Sequence, residues 1–80
     1  MKIKDATVYR LKAICKERKI TLYRVGTLSG INPKSVYSLV RPERQDMSLV
    51  LLKKIVDGLD MSMSEFFDDP IFDATELEIE

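Results

Sequence analysis

The segment from Leu22 to Val40, LYRVGTLSGINPKSVYSLV, is punctuated so sharply that few folds can hold it. Thr21 can accept a hydrogen bond from an early backbone N–H and so cap a short helix, LYRVGTLS. Gly30 stops that helix, being free to adopt positive φ with no Cβ in the way. Asn32 can cap the next helix, and Pro33 can take its first position, where the missing N–H is not needed and the fixed φ is already helical. Val25, Ile31, Val36 and Leu39 fall where two short helices meeting at a tight turn touch each other and a third helix. Gly26 sits at the crossing, where only glycine or alanine leaves room for so close an approach. This spacing is the layout of a helix-turn-helix.

Helical periodicity continues on both sides. Val8, Leu11, Ile14 and Cys15 share one face of a first helix over roughly residues 6–18. The third helix runs to about Val40 and ends at Pro42, and RPERQD is a polar connector. Ser48 caps a fourth helix, whose Leu52, Ile55, Val56 and Leu59 make an apolar stripe. Ser62 and Glu65 have the form of a capping box, opening a short fifth helix with Phe66 and Phe67. Asp68, Asp69 and Pro70 close the unit. The expected architecture is all-α: a five-helix domain over residues 1–67, then an acidic C-terminal tail, residues 68–80. The tail's TELEIE alternates like a strand, and MKIK at the other end alternates with lysines where the tail has glutamates. The two ends could pair as short strands, with opposite charges facing.

A chain of 80 residues suits one domain and buries only roughly 60–65% of its unfolded surface, so the core must be compact. Cys15 is the single cysteine, which rules out an internal disulfide and fits a reducing cytoplasm. No apolar run has signal-peptide length at the start, and MSLVLL is stopped by Lys53 and Lys54, so no membrane association is expected. The chain has no histidine, which excludes a Ser-His-Asp or Cys-His catalytic site and a histidine-containing zinc site. Cys15 reads as a small buried hydrophobe, Met61 and Met63 as packing residues, and Asp68 with Asp69 as a helix-ending cluster rather than a catalytic pair. No enzyme activity, cofactor or metal is expected. The net charge of zero hides an asymmetry: thirteen bases against seven acids in residues 1–67 give +6, and six acids with no base in residues 68–80 give −6. A basic body points to an anionic partner, and the tail to a separate role.

On TLYRVGTLSGINPKSVYSLV and MSLVLLKKIVDGLDMSMSEFF the chain resembles the Cro/C1-type helix-turn-helix domain, the XRE family of phage repressors and bacterial regulators, from about Thr7 to Phe67. The resemblance implies that the third helix lies in the major groove of double-stranded DNA, with its N-terminal residues at base edges. Those positions are Asn32, Pro33, Lys34, Tyr37 and Ser38, with Ser35 nearby. Lys34 could donate to guanine O6 or N7; Ser38 could serve either sense of hydrogen bond; Tyr37 could press on a thymine methyl or reach a phosphate. Thr21 would lie against the sugar–phosphate backbone, and Arg41 and Arg44 occupy the loop that grips phosphate in the family. Leu22, Val40 and Pro42 stand where the family often has Gln, Glu and Gly. The implied replacement for a familial ion pair is an apolar contact between Cys15 and Val40.

The expected function is a small sequence-specific DNA-binding transcriptional regulator, a repressor acting by occupying its operator as a homodimer. Phe66, Phe67, Ile71 and Phe72 suggest a dimer surface on helix five and the tail. The alternative is an antitoxin or other protein-binding module whose acidic tail binds a basic partner. In a third arrangement the tail rests on the basic surface of its own domain and mimics phosphate.

Overall fold

The computed structural model of the protein describes residues 1–75. The helices are α1 (Ile3–Arg18), α2 (Leu22–Ser29), α3 (Pro33–Leu39), α4 (Leu49–Gly58) and α5 (Met63–Phe67), followed by a 3-10 helix, Pro70–Ala74. No strand occurs among the described residues. TELEIE lies, beyond Thr75, outside them.

The local signals act as their chemistry requires. Thr21 Oγ1 accepts the Arg24 N–H at 3.0 Å, and Asn32 Oδ1 accepts the Lys34 N–H at 2.9 Å. Gly30 has φ 69°, and beyond it the Ile31 N–H returns to the Gly26 carbonyl at 3.0 Å. Ser48 Oγ caps α4 through the Leu51 N–H. In the capping box Ser62 Oγ accepts from the Glu65 N–H, and the Glu65 carboxylate accepts from the Ser62 N–H. That last bond holds the Glu65 carboxyl below its ordinary pKa. At the helix crossing a Cβ on Gly26 would lie 2.9 Å from Pro33 Cα and 3.2 Å from Pro33 N. The approach is closer than the sequence suggests, since even alanine would force a shift.

The start of the chain behaves differently from its sequence reading. α1 begins at Ile3 rather than near residue 6, and MKIK supplies its first turn, with the Ala6 N–H donating to the Lys2 carbonyl at 3.0 Å. Lys4 is the reason the helix extends back. It lies on the stripe of Leu11 and Cys15, is 5% exposed, and sends Nζ to the Arg41 carbonyl at 2.5 Å. A strand at this end is therefore excluded.

The core draws on all five α-helices: Leu11, Ile14 and Cys15 from α1, Val25 from α2, Val36 and Leu39 from α3, Leu52, Ile55 and Val56 from α4, Leu59 just after it, and Phe66 from α5. Val8, expected among them, is only half-buried. Burial pushes the Cys15 thiol above its ordinary pKa, outweighing the opposite pull of Arg18. A thiol-reactive dye should accordingly leave native protein unlabelled at neutral pH and label it stoichiometrically in denaturant. Rapid labelling of the native state would show that this part of the core opens readily.

α2 packs against α3 on one side and α4 on the other. The second contact is as tight as the first: a Cβ on Gly58 would lie 2.8 Å from Ser29 Cα and 2.9 Å from Ser29 N. Ser29 Oγ is buried there with no hydrogen-bond partner among the described residues. α1 ties α3, α4 and α5 by their ends. Lys4 holds the carbonyl just beyond α3, Arg18 donates to Leu59 O beyond α4, and Arg10 donates to Phe66 O at 2.7 Å and Glu65 O at 3.0 Å in α5. Each cation thus lies near the negative end of a helix dipole; Phe66 O and Leu59 O are carbonyls at or just past a helix end, whereas Arg41 O also accepts from the Arg44 N–H and Glu65 O from the Asp68 N–H.

Asp68 to Pro70 end α5, but the chain then turns back. Asp69 Oδ1 accepts the Ile71 N–H at 2.9 Å, and the 3-10 helix packs on α1, where Arg10 meets Asp69 at 3.5 Å. The Phe67 and Phe72 rings meet edge to face with centroids 4.8 Å apart. The apolar surface expected for a dimer is thus largely used within the chain: Phe66 is fully buried, and Ile71 and Phe72 are half-buried. Among the described residues the most exposed large apolar side chains are Leu49 and Val50, 70% and 68% exposed in the first turn of α4.

Candidate nucleic-acid interface

α3 divides into two faces because Val36 and Leu39 are drawn wholly into the core. Helical geometry then places Lys34, Tyr37 and Ser38, at i, i+3 and i+4, on the outer face. Lys34 and Tyr37 are exposed, and neither side chain makes a hydrogen bond or ion pair among the described residues. Asn32 is exposed, but its Oδ1 is committed to the cap, so only its amide N–H₂ is free to donate outward. Pro33 is half-buried at the crossing with Gly26, which makes it a shaping residue first, and Ser35 is half-buried beside it.

Along the helix-turn-helix segment the charge is of one sign. Residues 21–42 contain Arg24, Lys34 and Arg41 and not one Asp or Glu. Thr21 is exposed at the start of α2, with its hydroxyl serving as cap. Arg41 is exposed in side chain, while its carbonyl is pinned by Lys4. Arg44 differs from a free phosphate ligand: its Nη1 donates to Ser38 Oγ at 3.0 Å and its Nε lies 3.4 Å from Asp46. Three further bases, Lys4, Arg10 and Arg18, donate to helix-end carbonyls. The sequence-derived list omits Lys4 and Asp46. Lys4 stands i−7 from Leu11 on the apolar stripe, a phase that marks it as buried; nothing in the sequence pattern marks Asp46. Cys15 lies in the core and Val40 packs against that cluster, so an apolar environment stands where the family's ion pair would be.

A capped helix with exposed polar side chains, within a segment that has bases and no acid, and locked to its neighbour by a glycine crossing, defines a helix-turn-helix DNA-binding unit. Residues 10–70 match the family model described as the Cro/C1-type HTH DNA-binding domain, and the chain belongs to that family, whose members are DNA-binding regulators. No curated protein and no solved structure gives a significant match. No helix among the described residues is long and apolar enough to cross a membrane.

Proposed function

We propose that the chain is a sequence-specific transcriptional repressor that occupies an operator in the cytoplasm as a homodimer, with α3 of each copy in the major groove. The observation that carries this reading is the outer face of α3, where Lys34 and Tyr37 have no partner among the described residues and the segment 21–42 contains no acid. In this reading Lys34, Tyr37 and Ser38 meet base edges, and Asn32, Pro33 and Ser35 bring the start of α3 against them. Thr21, Arg41 and Arg44 flank them along the phosphates. A single helix of seven residues reads a short site, so paired half-sites about one helical turn apart supply the remaining specificity. Exposed Leu49 and Val50 are available to a second copy.

Selection from randomised duplex DNA tests this directly. A two-fold symmetric motif should emerge, and its affinity should fall steeply with salt as phosphate contacts are screened. Lys34→Ala should weaken the selected site by about 1–3 kcal/mol and relax preference at one base pair per half-site. Recovery of no motif, with negligible binding even at low salt, would refute the reading and favour a protein-binding module acting through residues 68–80.

A further inference from the structure

Ser38 and Arg44 meet at the end of α3, and the bond between them limits what Ser38 can recognise. A guanidinium has donors only, so in the 3.0 Å contact Ser38 Oγ must accept. Arg44 is held in place from its other side by Asp46. The Ser38 proton therefore points away from Arg44, and among the described residues nothing accepts it. Thr7 and Thr27 turn their hydroxyls back to the carbonyls of Ile3 and Tyr23, four residues earlier, whereas Ser38 makes no such bond to Lys34.

We infer that Arg44 is a positioning residue: by occupying one of the two Ser38 Oγ lone pairs and turning the hydroxyl proton away from itself, it biases Ser38 toward donating, so that Ser38 favours a base-edge acceptor. The major-groove acceptors are purine N7, guanine O6 and thymine O4; the amino edges of cytosine and adenine are disfavoured. A serine without such a neighbour rotates to suit either sense. The inference rests on α3 entering the major groove as proposed above, and it narrows the role of Arg44 from gripping phosphate to orienting a reader.

The test begins with the wild-type chain and its selected duplex, then compares Ser38→Ala, Arg44→Ala, the double variant and Arg44→Lys on every single-base substitution of that duplex, at two salt concentrations. Wild-type protein should prefer an acceptor at one base pair in each half-site. Ser38→Ala and Arg44→Ala should each flatten that same preference by about three- to tenfold, the net worth of one hydrogen bond, and the double variant should flatten it no further. Arg44→Lys, another donor without an acceptor, should retain it. If Arg44→Ala instead weakens all sequences equally, lowers the salt slope by about one and leaves the preference intact, Arg44 is a phosphate contact only and the inference falls. A wild-type preference for an amino edge at the Ser38 base pair overturns it as well. Failure of the wild type to select any duplex is a different result, seen before any variant is made, and refutes the DNA-reading function itself.

Discussion

Phe66→Ala is expected to destabilise the domain by about 3–5 kcal/mol, the usual cost of truncating a fully buried phenylalanine. The side chain is 0% exposed and lies at the junction of α5 with the rest of the core. Its ring also meets the Phe67 ring edge to face at 5.3 Å and the Phe72 ring at 6.3 Å. Removing it leaves a cavity and strips the support beneath the 3-10 helix. A domain of this size has a total stability of about 4–12 kcal/mol, so the loss is a large fraction of the whole. Urea unfolding followed by circular dichroism measures it. Phe66→Leu, which keeps most of the volume, should cost much less than the alanine; equal losses would show that the aromatic contacts rather than cavity formation dominate.

Gly58→Ala is expected to destabilise by about 1–2 kcal/mol, against the usual direction for a helical glycine. Alanine in place of glycine ordinarily gains about 0.5–1 kcal/mol within a helix. Here the added carbon meets Ser29 Cα at 2.8 Å and Ser29 N at 2.9 Å, and forcing apart a packed interface costs about 1–3 kcal/mol. The added carbon also meets Ser29 Oγ, which Ser29→Gly would remove, but the Cα and N contacts are backbone and stay, so Ser29→Gly should rescue the variant only in part. Ser29→Ala alone should be close to neutral, since its buried hydroxyl has no partner to lose. A rise in melting temperature for Gly58→Ala would mean that α2 and α4 separate easily.

Those two glycine crossings show where sequence reading succeeds and stops. Gly26 is legible because the turn signals around it, Thr21, Gly30, Asn32 and Pro33, act over a few residues and fix the geometry locally. Gly58 meets Ser29 far along the chain, and no local signal announces it. The same holds for the ties from α1. Lys4, Arg10 and Arg18 reach carbonyls 37, 56 and 41 residues away, distances at which periodicity is silent. The four residues MKIK alternate, yet so short a run fits the first turn of a helix equally well, and burial of Lys4 decides the matter. At the interface, exposure of Lys34 and Tyr37 follows from the phase of Val36 and Leu39. The link from Ser38 to Arg44 depends on how the loop after α3 folds back, which composition does not encode.

The tie between Lys4 and the end of α3 has a consequence for how damage to this protein would be observed. A helix of seven residues is far below the roughly 12–15 at which isolated helices become even marginal, so the reading surface exists only while the whole domain is folded. Apparent affinity is then the intrinsic affinity multiplied by the folded fraction. While nearly every molecule is folded, a core substitution leaves apparent DNA affinity untouched; past the midpoint, each further loss of about 1.4 kcal/mol lowers it tenfold. On a binding curve such a variant imitates the loss of a base contact. It differs in one respect: the sequence it prefers does not change.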